Sequence, residues 1–363
     1  MTPFEIAQLR QNCHTILPGH PLISPAQQFA AMSQWCEAHN VQHDVYGEGE
    51  TVQGFEHKIA QLLGMETGLF CITGTLTQVT ALRLACSRRN SNLVGLHPTS
   101  HIFVHENSNH ELLNHFKALR IGHPYRPWTL DDIKDLPDPL AAVQYELPMR
   151  EIGGQLPSWE QLNEIKAYCQ EKQIHLHMDG ARLWEAQAGF GRPLHEICAG
   201  FDSVYVSFYK GIGGLAGAML LGPGDFTRQA RVWMNRQGGN VARRTPFVVS
   251  AAMQFDQRLA QLPALFARTQ WLYTELARFP AFTPNPAQAQ ANMLHLHLPV
   301  SRERATELRN QIAQEHGIWL FGQAVDSMLP GHCSFEWTIG SNLLDMDDAA
   351  LRRALELLHA AII

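Results

Sequence analysis

The chain changes hydrophobic rhythm repeatedly between residues 56 and 222. In EHKIAQLLG (56–64), LTQVTALRLACSR (76–88) and SWEQLNEIKAYCQEKQ (158–173) apolar residues recur every three or four positions, which predicts helices. Gly64 ends the first of these, and Ser158 stands where an N-cap is expected in the third. Between them lie short apolar runs predicted as buried strands: TGLFCITG (67–74), LAAVQYEL (140–147), IHLHMD (174–179), FDSVYVSF (201–208) and GAMLLG (217–222). Strands separated by helices imply an α/β fold, a mostly parallel sheet flanked by helices on both faces. The texture shifts near residue 250. A long helical stretch (250–279) is followed by ANMLHLHLP (291–299), a helix over 302–316 and a closing helix from Asp347. This predicts a smaller α+β C-terminal domain, with Pro280, Pro284 and Pro286 near its entry. The expected division is an N-terminal arm (1–25), a large domain (26–255) and a small domain (256–363).

Composition narrows the class. Apolar residues make up 45% and charged residues 17% of 363, which fits a packed globular protein and excludes disorder. A net charge of −6 without any basic block argues against a nucleic-acid partner. No apolar run is long enough to span a bilayer, and the first residues, MTPFEIAQLR, lack the pattern of a secretory signal. Seven cysteines, widely spaced and with no C-x-x-C pair, read as reduced thiols, so a cytoplasmic location is expected.

Charge usage singles out one residue. The chain has six lysines against twenty-two arginines, and Lys210 is the only lysine after Lys172. It sits in the glycine-rich, apolar stretch KGIGGLAGAMLLG (210–222). Gly211, Gly213 and Ala216 there satisfy a dinucleotide-binding spacing, but the glycines lead into a strand rather than a helix, and that context is wrong. A second stretch, HLHMDGARLWEA (175–186), places His175, His177 and Asp179 on one face of a strand. The pattern H-x-H-x-D opens the ligand run of zinc hydrolases, yet the histidine required after the acid is Gly180, so no metal site is expected.

What remains is an acid ending one strand, Asp179, and a lysine ending another, Lys210. In open α/β sheets ligands bind beyond the carboxyl ends of strands, so both would face one crevice. Pyridoxal 5′-phosphate requires this pair: an amine to bond its aldehyde and a carboxylate to keep its ring nitrogen protonated. A buried acid capping a turn and a lysine extending from a strand end would give the same spacing. Such a cofactor also needs a phosphate cradle. In ITGTLTQ (72–78) a strand ends at Thr73-Gly74-Thr75 where a helix begins, an arrangement suited to an anion.

Six motifs in order resemble the threonine aldolase and aromatic amino acid β-eliminating lyase family, pyridoxal-phosphate enzymes of the aspartate-aminotransferase fold. DVYGEGETVQGFE (44–56) resembles that family's D-V-Y-G-E-D-P-T segment followed by the acid of its first helix, and TGT (73–75) its phosphate-binding S-G-T. SHIF (100–103) and GGQLP (153–157) resemble its ring-stacking histidine segment and its G-G-x-x-x-P turn. HMDGARLWEA resembles H-x-D-G-A-R-x-x-N-A, and KGIGGLAGAMLLG resembles K-G-L-x-A-P-V-G. The resemblance implies Lys210 as the lysine bonded to the cofactor, Asp179 as the ring-nitrogen partner and His101 as the stacking residue. It also implies Thr73, Gly74 and Thr75 as the phosphate cradle, and Arg182 near the phenolate oxygen or the substrate carboxylate. RQGGNVARR (236–244) resembles a G-G-x-R segment whose arginine reaches a neighbouring subunit's phosphate, a part for Arg243 or Arg244. Shared sites imply a homodimer or homotetramer.

The departures cluster on the substrate side. The N-terminal R-S-D-T has no clean match, its nearest text being QNCHT (11–15), and the carboxylate-binding arginine of R-x-V-T-H is Phe335. The asparagine of E-N-T-H-N is Leu147, and the serine before the lysine is Tyr209. The expected function is retro-aldol cleavage of a β-hydroxy-α-amino acid, with His101, His105 or Glu106 as base and Arg150, Arg126 or Arg182 replacing the missing arginine. The alternative is β-elimination, or another reaction on an altered substrate.

Overall fold

The computed structural model describes residues 1–363, which form two compact units. The larger comprises Ile23–Glu151 and Gln155–Ala260. Its sheet has seven strands: β1 (Thr67–Cys71), β2 (Leu93–Leu96), β3 (Lys117–Arg120), β4 (Ala142–Glu146), β5 (His175–Gly180), β6 (Ser203–Ser207) and β7 (Ala218–Gly222). They lie in the order β1-β7-β6-β5-β4-β2-β3. All adjacent pairs are parallel except those made by β7, which runs antiparallel to both β6 and β1. The expected α/β class with a mostly parallel sheet is therefore what the chain adopts.

The antiparallel strand has a simple cause. Only residues 208–217 separate β6 from β7. A parallel return needs a crossover of a dozen or more residues, whereas a short link turns the chain back beside itself. Because β1 again runs with β6, the carboxyl ends of β1, β4, β5 and β6 lie along one edge of the sheet. Strands β2 and β3 had no clear signal, since LVGL and KALR are four residues each and β3 is half-exposed at the sheet's margin.

Helices cover the sheet. α1 is Pro25–Ala38, α2 Glu50–Leu62, α3 Gly74–Arg89, α4 Trp159–Glu171, α5 Leu183–Phe190, α6 Gly224–Arg236 and α7 Thr245–Leu276. Ser158 caps α4 as expected, its hydroxyl accepting from the Gln161 amide at 3.2 Å. Under α3 the sheet carries an unusual polar stripe. His175 and His177 each meet the Ser203 hydroxyl at 2.7 Å, and Gln144 Nε2 donates to Gln78 on α3. The two histidines of H-x-H-x-D are thus tied to a serine, and no three His, Cys, Asp or Glu side chains are grouped so as to hold an ion.

The smaller unit comprises Met1–Leu22, Ile152–Gly154 and Gln261–Ile363. β8 (Thr283–Asn285), β9 (Met293–Leu298), β10 (Val325–Asp326) and β11 (Cys333–Thr338) form an antiparallel sheet ordered β10-β11-β9-β8. Helices α8 (Arg302–His316) and α9 (Asp348–Ile362) flank it around a core of Leu294, Leu296, Phe335, Trp337 and Leu355. Thr15–Ile16 pairs in parallel with Ile318–Trp319, which attaches the N-terminal residues to this unit. The 32-residue α7 runs through residues 260 and 261 without a break. All seven cysteines are free thiols, and no helix is long and apolar enough to cross a membrane.

The buried histidine stripe gives the fold a pH dependence. Burial lowers the pKa of His177 from 6.5 to about 3, so the unfolded chain binds a proton that the folded chain refuses. Stability from this group is complete above about pH 6.5 and is lost as pH falls toward 3. At pH 5 the loss is about 2 kcal/mol. In urea unfolding, His177→Gln is expected to lose that much less than the parent chain between pH 7 and pH 5; equal losses would contradict the assignment.

Candidate active site

The site is built where β4, β5 and β6 end. Asp179 is in register with Glu146 on β4 and with Tyr205 on β6, so all three side chains share the face beneath α3. Asp179 is 1% exposed, and its Oδ1 accepts from the Ala181 amide at 3.1 Å, which fixes the turn into α5.

Lys210 follows β6 by three residues, on a loop folded tightly over aromatic packing. Gly214 N–H donates to the Phe208 carbonyl at 2.7 Å and Gly213 N–H to that of Lys210 at 3.1 Å. Phe208 is fully buried against Phe55 and Trp184, with ring centroids 5.0 and 6.1 Å away. Burial lowers the Lys210 pKa, and the Arg182 and Arg150 charges act the same way; Asp179 and Glu146 oppose them. The structure therefore brings Lys210, Asp179 and Arg182 into one electrostatic neighbourhood, together with Glu146 and Arg150. Lys166 also has a lowered pKa, about 8 and mainly from burial, but its amine donates to the Ile197 carbonyl between Trp159 and Phe201.

The turn at Thr73-Gly74-Thr75 opens α3 at the same edge of the sheet. The Thr73 hydroxyl caps the helix by accepting from Leu76 N–H at 3.3 Å. Helix geometry leaves the amides of Gly74 and Thr75 for another acceptor, at the positive end of the helix dipole. Gly74 is buried, and a Cβ there would overlap the Tyr205 hydroxyl. The cradle thus abuts the in-register neighbour of Asp179. A helix-end anion site, a buried carboxylate and a low-pKa amine on one edge match the phosphate, ring nitrogen and aldehyde of pyridoxal phosphate, so the residues fit that group.

His101 begins the short helix His101–His105 after β2, and its Nδ1 meets Glu106 Oε1 at 3.0 Å. The Glu106 carboxylate is fully enclosed and also accepts from Asn109 at 3.0 Å. The ring of His105 lies 5.1 Å from that of His101, and its Nε2 meets Glu151 Oε1 at 2.8 Å and Arg150 at 3.4 Å. These contacts form a chain from His101 to the Arg150 charge that acts on Lys210.

Arg243 and Arg244 pack against the loop DVYGEGE (44–50). Asp44 is buried and its Oδ1 accepts from the amides of Arg244 and Thr245 at 2.8 Å each and from the Thr245 hydroxyl at 2.7 Å, while Oδ2 accepts from Gly47 at 2.7 Å. The fully buried Arg244 guanidinium donates to the Phe70 carbonyl at 3.2 Å and to Asn240 at 2.6 Å. Glu56 accepts from the Phe70 amide at 2.7 Å, so the two charged side chains satisfy the outer groups of edge strand β1. Arg243 is exposed and donates to the Asp44 carbonyl.

Two acids escaped the sequence reading. Glu146 passed as part of the apolar strand LAAVQYEL and of the text aligned to E-N-T-H-N, without a role, although its spacing from Gln144 marks a polar face. Glu185, where the resembling motif has asparagine, is fully buried with Oε2 lacking any hydrogen-bond partner, and its other oxygen presses on Gly211. Among the candidate arginines, Arg126 is held by Asp132 through two contacts of 2.6 and 2.8 Å. Phe335 is a core residue of the smaller unit, stacked on Phe321 at 3.9 Å.

Comparison with known proteins gives the family. The β-eliminating lyase family model matches residues 24–299. The low-specificity L-threonine aldolase of Eremothecium gossypii is 29% identical over 324 residues, 86% of this chain and 81% of that one. A Listeria monocytogenes structure provisionally named L-allo-threonine aldolase superposes with a TM-score of 0.90 at 34% identity, covering 98% of this chain and 97% of that one. An Exiguobacterium structure provisionally named aromatic amino acid β-eliminating lyase/threonine aldolase gives 0.91 at 32% identity, covering 98% and 99%. The chain belongs to the β-eliminating lyase family and is a pyridoxal-phosphate-dependent lyase of the threonine aldolase type.

Proposed function

We propose that this protein cleaves the Cα–Cβ bond of a small β-hydroxy-α-amino acid, releasing an amino acid and an aldehyde. The observation that carries the reading is the placement of Lys210, Asp179 and the α3 cradle along one edge of the sheet. The relatives named low-specificity L-threonine aldolase support it. When bound, pyridoxal phosphate supplies an aldehyde that condenses with amines and a protonated ring that takes up the electron pair of the broken bond.

The residues then divide the work. Lys210 would bond the cofactor's aldehyde, and its lowered pKa keeps more of the amine neutral and nucleophilic. Asp179 would grip the ring nitrogen, and Thr73, Gly74 and Thr75 would hold the phosphate. His101 would stack on the ring, and Arg182 would meet the phenolate oxygen or the substrate carboxylate. His101, through Glu106, or His105, through Glu151, removes the β-hydroxyl proton as the Cα–Cβ bond breaks. A proton delivered to Cα completes the amino acid product. Arg243, exposed at its loop, would reach the phosphate of a second subunit in a cytoplasmic homodimer or homotetramer, and Arg244 holds the loop in place.

The substrate carboxylate needs a cation that the Phe335 position does not offer. Arg150, which also donates to Glu151 at 2.7 Å, and Arg182 both act on Lys210 and supply it; Arg126 is paired with Asp132.

Lys210→Ala is expected to abolish aldehyde release from L-threonine and phenylserine, measured against the parent protein supplied with pyridoxal phosphate. Residual release near the parent rate would contradict the reading. So would a parent protein that makes pyruvate and ammonia from amino acids with a β-leaving group and no aldehyde from either substrate; that outcome would favour elimination. Arg150→Gln and Arg182→Gln are expected to raise KM, at least one of them by about tenfold or more. Arg126→Gln is expected to act on stability instead. Unchanged KM in both of the first two variants would remove them as carboxylate partners.

A further inference from the structure

One carboxyl in the site has no part in the reaction just described. Glu146 ends β4 in register with Asp179, so the two side chains share one face on strands about 4.8 Å apart. Both are buried, at 9% and 1% exposure. Oε1 of Glu146 accepts from the Arg150 amide at 3.0 Å, so the carboxyl is held at the strand end rather than turned to solvent. Around it stand Asp179 from β5, Lys210 after β6, Arg182 before α5 and Arg150 on its own turn, with His105 and Glu151 against the Arg150 side chain. Tyr205 flanks Asp179 on the far side.

Burial, together with the Asp179 charge on the same face, favours the neutral form of Glu146. Asp179 is the member held by the Ala181 turn amide and the one proposed to meet the cofactor ring nitrogen. We propose that Glu146 is a positioning residue that stores the proton of this acid pair, leaving Asp179 as the single charge that meets the ring nitrogen. This rests on the functional reading above. Burial, followed by the Asp179 charge, raises the Glu146 pKa to about 8, so the stored proton leaves in mild alkali. Glu146 then becomes a second negative charge acting on the Lys210 nitrogen, whose proton it stabilises.

The test is a pH titration of cofactor absorbance in the loaded parent protein and in Glu146→Gln, whose amide mimics the protonated acid. The parent is expected to show an additional step near pH 8, and Glu146→Gln to lack it. At pH 7, Glu146→Gln is expected to keep the cofactor Kd within about threefold, while Glu146→Ala weakens it by about tenfold or more. Superimposable titrations of the parent and Glu146→Gln would overturn this inference and leave the functional reading standing. A parent protein that binds no pyridoxal phosphate would overturn both.

Discussion

A carboxylate and an ammonium group taken out of water lose hydration, and their mutual attraction offsets that cost only when they are held in good geometry with further partners. Sheet register meets that requirement here. Asp179 ends β5 between Glu146 and Tyr205, and the loop after β6 returns Lys210 to the same neighbourhood. A slip of one residue in β5 would turn Asp179 to the opposite face and carry His175 and His177 away from Ser203. The hydrogen bonds that lock the stripe under α3 therefore also hold the acid in place.

The same logic accounts for several other residues. Gly74 leaves space for the Tyr205 hydroxyl, and Gly211 leaves space for Glu185. Asp44 collects four donors at the start of α7, which steadies the loop that brings Arg244 against β1. Burial opposes its charge, yet the Thr245 hydroxyl and the surrounding amides bring its pKa below the usual carboxylate range. These contacts use charged side chains to satisfy backbone groups that an edge strand would otherwise leave open.

Much of the large sheet was legible because its strands are fully buried and read as short apolar runs. The direction of β7 was written in the ten residues before it, a length signal that the hydrophobic pattern does not contain. β2 and β3 had too few residues to show a period. The N-terminal residues looked like a detached arm because Pro3–Asn12 buries no residue and its neighbours pair with Ile318–Trp319, some three hundred positions away. In the site, Lys210 stood out through lysine scarcity and Asp179 through its place at a strand end. Glu146 did not, because only the pairing of β4 with β5 makes it a neighbour of Asp179. The unpartnered oxygen of Glu185 was likewise invisible without tertiary contacts.

The proposed chemistry depends on which nitrogen bonds the cofactor. Two of the six lysines, Lys166 and Lys210, have amines made unusually basic-poor by burial, and only Lys210 lies beside Asp179. Reduction of the pyridoxal-phosphate-loaded protein with borohydride, followed by peptide mass mapping, distinguishes them. The cofactor is expected on the peptide containing Lys210; recovery on Lys166, or on no lysine, would contradict the account.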